Sequence, residues 1–239
     1  MSGNGTVVVV GVGPGLGAAL CRRFAQGGMN VAAAARDAAK TEKIVADVNA
    51  LGGGEARSYS VDTTDEAAVE KFFDDVTGDR GVPDAVIYNA GAFMKTSILE
   101  ATAADFKRCW EANCYGGFLV GRAAAKRMTP RGSGSILFTG ATASKRGSAK
   151  FFNLSVGKFG LLALAQAMAR ELGPAGIHVA HVIIDGQIHS ERYAHLAAER
   201  PPDALLAPDD IAETYWQLHT QNRSSWAFDV DLRPWVEKF

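Results

Sequence analysis

The stretch from Thr6 to Leu20, TVVVVGVGPGLGAAL, constrains the fold of this chain more than any other. Four consecutive valines, Val7 to Val10, predict a buried parallel strand, because strands covered on both faces are continuously apolar. Glycines occupy alternate positions from Gly11 to Gly17, and an alanine- and leucine-rich segment up to Ala25 predicts a helix. A strand, a glycine turn and a helix together form a unit that presents free N–H groups to a phosphate. We therefore expect a phosphate-binding site at this turn.

Two glycine spacings fit this turn. Gly13-x-Gly15-x-x-Ala18 matches the general dinucleotide fingerprint. Gly11-x-x-x-Gly15-x-Gly17 places a glycine directly after the strand, and we prefer it for that reason. Either spacing predicts that the backbone approaches a pyrophosphate closely.

Composition excludes several classes of protein. A chain of 239 residues with 47% hydrophobic residues suits one globular domain, 1–239, rather than a disordered protein. A net charge of −1 gives no general basic surface for nucleic acid or membrane. The three cysteines form no C-x-x-C pair, which fits a reducing compartment. The N-terminal MSGNG has no signal-peptide pattern, and no apolar run is expected to reach the length of a membrane span, so we expect a cytoplasmic protein.

Strand and helix patterns alternate along the whole chain. Strands are predicted from Thr6, then over Asn30–Ala35, Glu55–Val61, Asp84–Tyr88, Gly134–Thr139 and Ile177–Ile184, with an edge strand over Trp226–Leu232. Helices are predicted over Ala18–Ala25, Asp37–Leu51, about 66–77, about Ala103–Met128, Phe152–Leu172, Ser190–Arg200 and Asp209–Thr220. This alternation predicts an α/β fold: a Rossmann-like, doubly wound parallel sheet of about seven strands in three layers. A substrate loop is expected at about 189–208.

The helix from Ser155 to Leu172 is apolar almost all the way round, with small residues at Gly157, Gly160 and Ala163. A helix that is apolar on every side is expected to be buried on every side. Part of that burial would come from a second subunit, so the sequence predicts a symmetric oligomer, a homodimer or homotetramer.

The end of the second predicted strand bears on cofactor choice. A carboxylate at this place binds the ribose 2′-hydroxyl of NAD, whereas an arginine accommodates the 2′-phosphate of NADP. Ala35 stands at the carboxylate position and Arg36 follows it, which favours NADP. NAD remains open, because Asp37 could compete for the ribose and Pro14 replaces the basic residue often found in the glycine turn.

Further motifs follow in a fixed order, and together they are specific. They are the glycine turn, Asp62-Thr63, Asn89-Ala90-Gly91, Asn113, Lys158 and the segment Asp185-Gly186-Gln187-Ile188-His189-Ser190. With them the chain resembles the short-chain dehydrogenase/reductase family over nearly its whole length, the last segment standing where the family has PG-x-I-x-T. The resemblance implies a nicotinamide cofactor, a small-molecule substrate and no metal.

The resemblance also implies roles for the matching positions. Gly11, Gly15, Leu16 and Gly17 would hold the pyrophosphate, Arg36 the 2′-phosphate, Asp62 and Thr63 the adenine, and Asn89, Ala90 and Gly91 the wall of the cofactor channel. Lys158 would bind the nicotinamide ribose, and Ser190 with the backbone of Ile188 would bind the carboxamide. Asn113 would fix a kink in its helix and hold a water in a proton relay.

The chain departs from the family at two catalytic positions. The family tyrosine, four residues before the lysine, is replaced by Leu154, and the assisting serine by Ala141. Neither aliphatic side chain donates a proton or stabilises an oxyanion. We expect an NADP-dependent oxidoreductase that acts on an unidentified carbonyl or alcohol through an atypical proton donor. The alternative is an inactive, cofactor-binding homologue with a regulatory or partner role.

Four side chains are candidate replacement donors: Thr142, Ser155, His189 and Tyr193. Ser155 is expected to point away from the site, since it follows Leu154 on a helix. His178 and His181 are three apart on a predicted strand, so they face opposite sides of the sheet and do not form a metal pair.

Overall fold

The computed structural model describes residues 5–237, apart from the side chain of Arg192. The chain ends, residues 1–4 and 238–239, lie outside that range, and so does most of the N-terminal MSGNG. The strands are β1 (Thr6–Val10), β2 (Asn30–Ala35), β3 (Ala56–Ser60), β4 (Ala85–Tyr88), β5 (Gly134–Ala141), β6 (Ile177–Ile184) and β7 (Asp229–Leu232). The helices are α1 (Leu16–Gln26), α2 (Ala39–Ala50), α3 (Glu66–Arg80), α4 (Ala103–Trp110), α5 (Gly116–Met128), α6 (Phe152–Leu172), α7 (Ala194–Glu199) and α8 (Pro208–His219).

All seven strands form one parallel sheet in the order β3-β2-β1-β4-β5-β6-β7. The predicted doubly wound sheet is therefore confirmed. The strand order reverses between β1 and β4, and in such sheets ligands bind in the crevice beyond the carboxyl ends of the strands at this point. The loops after these two strands hold Gly11 and Asn89.

The apolar core has two halves, one on each face of the sheet. On one face, alternate residues of β1 and β6 pack against α1, α2 and α8. On the other face, the remaining residues of those strands pack against α3, α5 and α6. The result is the three-layer arrangement that the alternating sequence pattern predicts.

Some element boundaries differ from the predictions. The long helix over 103–128 is interrupted by one turn of π-helix over Glu111–Tyr115, which separates α4 from α5. The edge strand is shorter than predicted, because only Asp229–Leu232 pairs with β6. The helix expected from Ser190 begins with a 3₁₀ turn over Glu191–Tyr193, and only 194–199 is α-helical. Asp65 caps α3 by accepting a hydrogen bond from the Ala68 N–H.

Within the single chain, helix α6 leaves one stripe exposed, and the sequence predicts that part of the burial of this helix comes from a second subunit. Val156 and Phe159 are 46% and 44% exposed, and Ala163 and Ala167 continue the same exposed stripe. With 21 residues and a mean hydropathy of 1.2, α6 also has the length and composition of a membrane span, contrary to expectation. The core helix of a globular domain passes the same test, and α6 buries Leu161 and Ala165 in the sheet core.

Candidate cofactor and catalytic site

The glycine turn between β1 and α1 contains two positions that only glycine fits. Gly11 has φ of +91°, and a Cβ there would lie 2.4 Å from the backbone nitrogen of Ala90. A Cβ on Gly17 would lie 2.8 Å from Cα of Val12. Gly13 and Gly15 face open space instead. The spacing that begins at Gly11 is therefore the one the backbone requires.

The N-terminus of α1 is open to a ligand. Gly15 precedes the helix, Leu16 begins it, and no side chain among residues 5–237 caps it. Because a helix N-terminus carries free N–H groups and a partial positive charge, this turn fits the pyrophosphate of a dinucleotide. The open space at Gly13 and Gly15 leaves room for one.

A cleft of about 490 Å³ lies at the point where the strand order reverses. Its wall contains many of the predicted cofactor-binding residues: Gly11, Arg36, Asp62, Thr63, Asn89, Ala90 and Gly91. Gly15, Leu16, Gly17, Asn113, Lys158, Ile188 and Ser190 are not among the residues that line it. The cleft therefore unites the predicted adenosine end of the site with the strand exits.

At the adenosine end, Asp62 Oδ1 accepts hydrogen bonds from the backbone N–H and the hydroxyl of Thr64, at 2.9 and 2.8 Å. These bonds lower the pKa of Asp62 below its ordinary value, and the charge of Arg36 lowers it further. Asp62 is therefore ionised at neutral pH. Arg36 lies on the same cleft and forms no ion pair with any side chain in the described part of the chain.

The carboxylate of Asp37 is bonded to residues at the start of α2. Its Oδ1 accepts from the Ala39 N–H at 3.2 Å, and its Oδ2 lies 3.5 Å from the Lys40 ammonium. Asp37 thus stabilises the first turn of α2. This arrangement leaves Arg36 as the charged side chain that β2 presents to the cleft.

Two charged cleft residues are absent from the sequence predictions. Arg108 and Glu111 reach the cleft from α4 and the π turn. They lie five and two residues before Asn113, on the helix that the sequence already brings to the site. Their position close to Asn113 on the same predicted helix is the sequence signal from which they could have been predicted.

Asn113 is fully buried in the π turn. Its side-chain N–H₂ donates to the carbonyls of Ala92 and Cys109, at 2.6 and 2.8 Å. Its Oδ1 has no hydrogen-bond partner among the described residues. An unpaired buried acceptor is costly, so this oxygen fits a donor such as an ordered water or a ligand hydroxyl.

Lys158 lies close to Asn113 across Gly91. A Cβ on Gly91 would lie 2.9 Å from Asn113 Oδ1 and 3.9 Å from Lys158 Nζ. The Lys158 ammonium is 6% exposed and donates to the Thr139 carbonyl at 2.7 Å. Burial lowers its pKa from 10.5 to about 8. Gly91, Asn113 and Lys158 thus form one polar corner beside the strand exits.

The positions of the missing tyrosine and serine lie around this corner. Leu154 precedes Lys158 by one turn of α6, and Ala141 is the last residue of β5. Beside Leu154, Phe151 stacks on Phe93 with ring centroids 5.3 Å apart. An apolar surface therefore occupies the side of the site where the family tyrosine belongs.

The candidate donors differ in accessibility. Ser155 is 5% exposed, and its hydroxyl has no partner among the described residues. Thr142 is half-buried and donates to Asp185, and His189 is exposed at the start of the substrate loop. Tyr193 lies in the 3₁₀ turn that precedes α7.

The segment after β6 is held by the substrate loop. The His189 N–H donates to the Leu206 carbonyl at 2.8 Å, and the Leu206 N–H donates to the Gln187 carbonyl at 2.9 Å. Ile188 therefore sits in a short parallel bridge with Leu206. Ser190 follows directly, in extended backbone.

The two histidines of β6 face opposite sides of the sheet, as predicted. His178 bonds the carbonyls of Leu218 and Ala227, whereas His181 lies near Ser144 and Asp229. Among the described residues no group of three or more His, Cys, Asp or Glu side chains is placed to hold a metal ion.

Comparison with known proteins agrees with this geometry. The family model described as short chain dehydrogenase matches residues 5–200. The chain belongs to the short-chain dehydrogenase/reductase family. A short-chain dehydrogenase/reductase of Armillaria gallica is 30% identical over 191 residues, which cover 79% of this chain and 72% of that protein.

Solved structures of this family have the same fold. A short-chain dehydrogenase from Rhodopseudomonas palustris is 38% identical, with a TM-score of 0.84 over 97% of this chain and 99% of that one. A metagenomic short-chain oxidoreductase in complex with NADP is 28% identical, with a TM-score of 0.84 over 99% of this chain and all of the other. The fold and the family therefore agree over the described residues.

Proposed function

We propose that this protein is a cytoplasmic, NADP(H)-dependent oxidoreductase that interconverts a carbonyl and an alcohol on a small-molecule substrate. We assign it a single cofactor-binding domain over residues 1–239, with a substrate loop at about 189–208. The observation that carries the proposal is one continuous site in which the glycine turn, Arg36 and Asp62 line a cleft that leads to Asn113 and Lys158. The NADP complex of the metagenomic relative supports the choice of cofactor.

The residues present fit a dinucleotide. Open space at Gly13 and Gly15, the uncapped start of α1 and the unpaired oxygen of Asn113 are features that a bound nucleotide and its waters would use. When bound, the nicotinamide supplies hydride chemistry. Lys158 would hold the nicotinamide ribose, and the backbone of Ile188 with Ser190 would hold the carboxamide.

Arg36 sets the expected preference for NADPH. An arginine pairs with a phosphate through charge-assisted hydrogen bonds. Within residues 5–237, Arg36 forms no ion pair with a carboxylate that would compete with the phosphate. Asp37 is drawn into the start of α2 and does not offer its carboxylate to the ribose.

The test is a fluorescence titration of the purified protein with NADPH and with NADH. We expect tighter binding of NADPH, and Arg36→Ala should weaken NADPH binding about ten- to a hundredfold while changing NADH binding less than about threefold. Lys43→Ala is the matched control, because Lys43 is exposed on α2 and its loss removes the same charge outside the cleft while leaving the contact between Asp37 and Lys40 intact. Equal affinity for both nucleotides would contradict the NADP assignment, and absence of binding would contradict the function as a whole.

A second function rests on the same site. Ala141 and Leu154 remove the two side chains that the family uses for proton transfer, which favours a cofactor-binding protein with a regulatory or partner role. Steady turnover by the wild type that disappears in Lys158→Met would exclude this alternative.

The oligomer is part of the proposal. The exposed stripe of α6, formed by Val156, Phe159, Ala163 and Ala167, has one residue every three or four positions, and its alanines allow a second helix to approach closely. Trp110 and Phe118 add exposed aromatic surface on α4 and α5. We assign this face to a homodimer or homotetramer contact.

A further inference from the structure

A hydroxyl and a carboxylate meet where β5 and β6 end. Ala141 pairs with Ile184 in the sheet, so the residues that follow, Thr142 and Asp185, leave the two strands side by side. The Thr142 hydroxyl donates to Asp185 Oδ1 at 2.5 Å. A hydroxyl-to-carboxylate bond of this length is charge-assisted and strong.

This pair lies on the two strand exits that are expected to face the nicotinamide half of the proposed site. Lys158 Nζ is bonded to the carbonyl of Thr139, which lies three residues before Thr142 on the same strand exit. On the other strand exit, Asp185 precedes the segment Ile188 to Ser190. Thr142 thus follows directly the alanine that stands in place of the family serine, and Asp185 stands where the family pattern has proline.

The neighbouring hydroxyls are engaged or inaccessible. Ser144 is fully buried, where it accepts a bond from the Ala141 N–H at 3.1 Å and lies 3.4 Å from His181 Nε2. The Thr139 hydroxyl is bonded to Tyr215 at 2.7 Å inside the core. Thr142 and Asp185, by contrast, are both half-buried at the surface of the strand exits.

The charged groups around the pair are contributed by three segments. Arg233, after β7, lies 3.7 Å from Asp185 Oδ2 and 3.2 Å from Asp231. Lys145, after the fifth strand, pairs with Asp231 at 2.9 Å and with Asp229 at 3.6 Å. His181 faces Asp229 from β6. Arg233 therefore holds the oxygen of Asp185 that Thr142 does not use, which fixes the carboxylate against the hydroxyl.

We propose that Thr142 replaces the missing tyrosine as the hydroxyl that touches the reacting oxygen, and that Asp185 is the positioning residue that exchanges a proton through it. The inference rests on the proposed oxidoreductase function. In alcohol oxidation, the substrate O–H bond breaks and its proton passes to Thr142 Oγ1, while the Thr142 proton passes to the Asp185 carboxylate. On the carbon that bears this oxygen, the C–H bond breaks and the hydride passes to NADP⁺. The products are a carbonyl compound and NADPH. Carbonyl reduction follows the same path backwards, with protonated Asp185 as the proton source.

The test uses NADP⁺-dependent oxidation of a panel of secondary alcohols by the full chain, with the best-oxidised member as the probe. Thr142→Val keeps the shape but lacks the hydroxyl, and we expect kcat to fall about a hundred- to a thousandfold. Thr142→Ser should stay within about tenfold of wild type, because it restores the hydroxyl. The nucleotide affinity of these variants should be unchanged.

Asp185→Asn removes the proposed proton exchange with Thr142 but keeps the hydrogen bond that positions the Thr142 hydroxyl. The amide oxygen still accepts the Thr142 hydrogen bond but does not take a proton at neutral pH. We expect kcat for oxidation to fall about tenfold or more while KM changes little. The matched control is Asp231→Asn, which loses the same charge beside the same arginine and should stay within about threefold.

Each outcome separates this inference from the function on which it rests. Wild-type turnover with unaltered Thr142→Val and Asp185→Asn variants would overturn the relay and leave the oxidoreductase proposal standing. NADPH binding without oxidation of any alcohol in the panel would overturn both.

Discussion

At the scale of single residues, the glycine turn shows how little freedom the sequence has at the site. Gly11 combines a left-handed backbone conformation with an approach to Ala90 that leaves no space for a methyl group. Gly13, two residues later, lies in open space. The same residue type therefore serves two purposes: one glycine is required by backbone geometry, and the other keeps the entrance clear for a ligand.

We expect Gly11→Ala to lower the free energy of unfolding by about 2–4 kcal/mol, because it adds both backbone strain and a clash with the next strand exit. Nucleotide binding should be lost as the turn shifts. Gly13→Ala should change the free energy of unfolding by less than about 1 kcal/mol. Urea denaturation of both variants measures the difference, and equal effects would refute the backbone argument.

At the scale of elements, the sequence predicted the strands of the sheet and most helices, because continuous valine runs and helical caps are local signals. Its errors come from properties that a single element does not encode. The family resemblance implies a kink at Asn113, but the continuous helix predicted over 103–128 misses the π turn there, because the Asn113 side chain bonds two backbone carbonyls and one of them, that of Ala92, belongs to another segment. Arg108 and Glu111 belong to the cleft because α4 lies against the strand exits, and that docking is tertiary. The sequence predicts that a second subunit covers part of α6, but apolar composition alone does not show which stripe of the helix the single chain leaves exposed.

The burial of Lys158 in α6 has a measurable cost. The pKa of the ammonium is about 8 in the folded chain and about 10.4 in the unfolded chain. Between these values the unfolded chain binds more protons, so the free energy of unfolding should rise with pH, by about 3 kcal/mol in total. Below pH 8, Lys158 is protonated in both the folded and the unfolded chain. The burial of its charge then lowers the free energy of unfolding by the full amount.

Lys158→Met removes this titration while it preserves the length of the side chain. His181, whose pKa is lowered to about 4 by burial and partly by the charge of Lys158, does not titrate between pH 8 and about pH 10.4, so the informative quantity in that range is the difference in stability between wild type and variant. We expect the wild type to gain stability relative to Lys158→Met between about pH 8 and about pH 10.4, as measured by urea denaturation at a series of pH values. Parallel pH curves for the two proteins would show that Lys158 is not buried as a charge.

At the scale of the whole molecule, the parallel sheet places every functional loop at one end. The turn after β1, the exits of β4, β5 and β6 and the π turn all converge there, although they come from distant parts of the chain. Helix α6, by contrast, has two faces with different surroundings. Its inner face carries Lys158 and Leu161, and its outer face carries an apolar stripe. A contact between two subunits on that stripe would brace the helix that carries the lysine, so assembly and catalysis are expected to be linked.

Phe159→Glu tests whether the subunits meet on this stripe. Phe159 is 44% exposed at the middle of the stripe, and a charge there would be buried without a partner in any symmetric contact through α6. We expect sedimentation velocity to show a dimer or tetramer for the wild type and a monomer for Phe159→Glu at the same micromolar concentration. Leu51→Glu is the control, because Leu51 is 46% exposed at the end of α2, on the opposite face of the sheet from α6, and should leave the assembly intact. A monomeric wild type would exclude the contact, and an oligomer unchanged by Phe159→Glu would place it elsewhere; in either case α6 would be braced by the sheet alone.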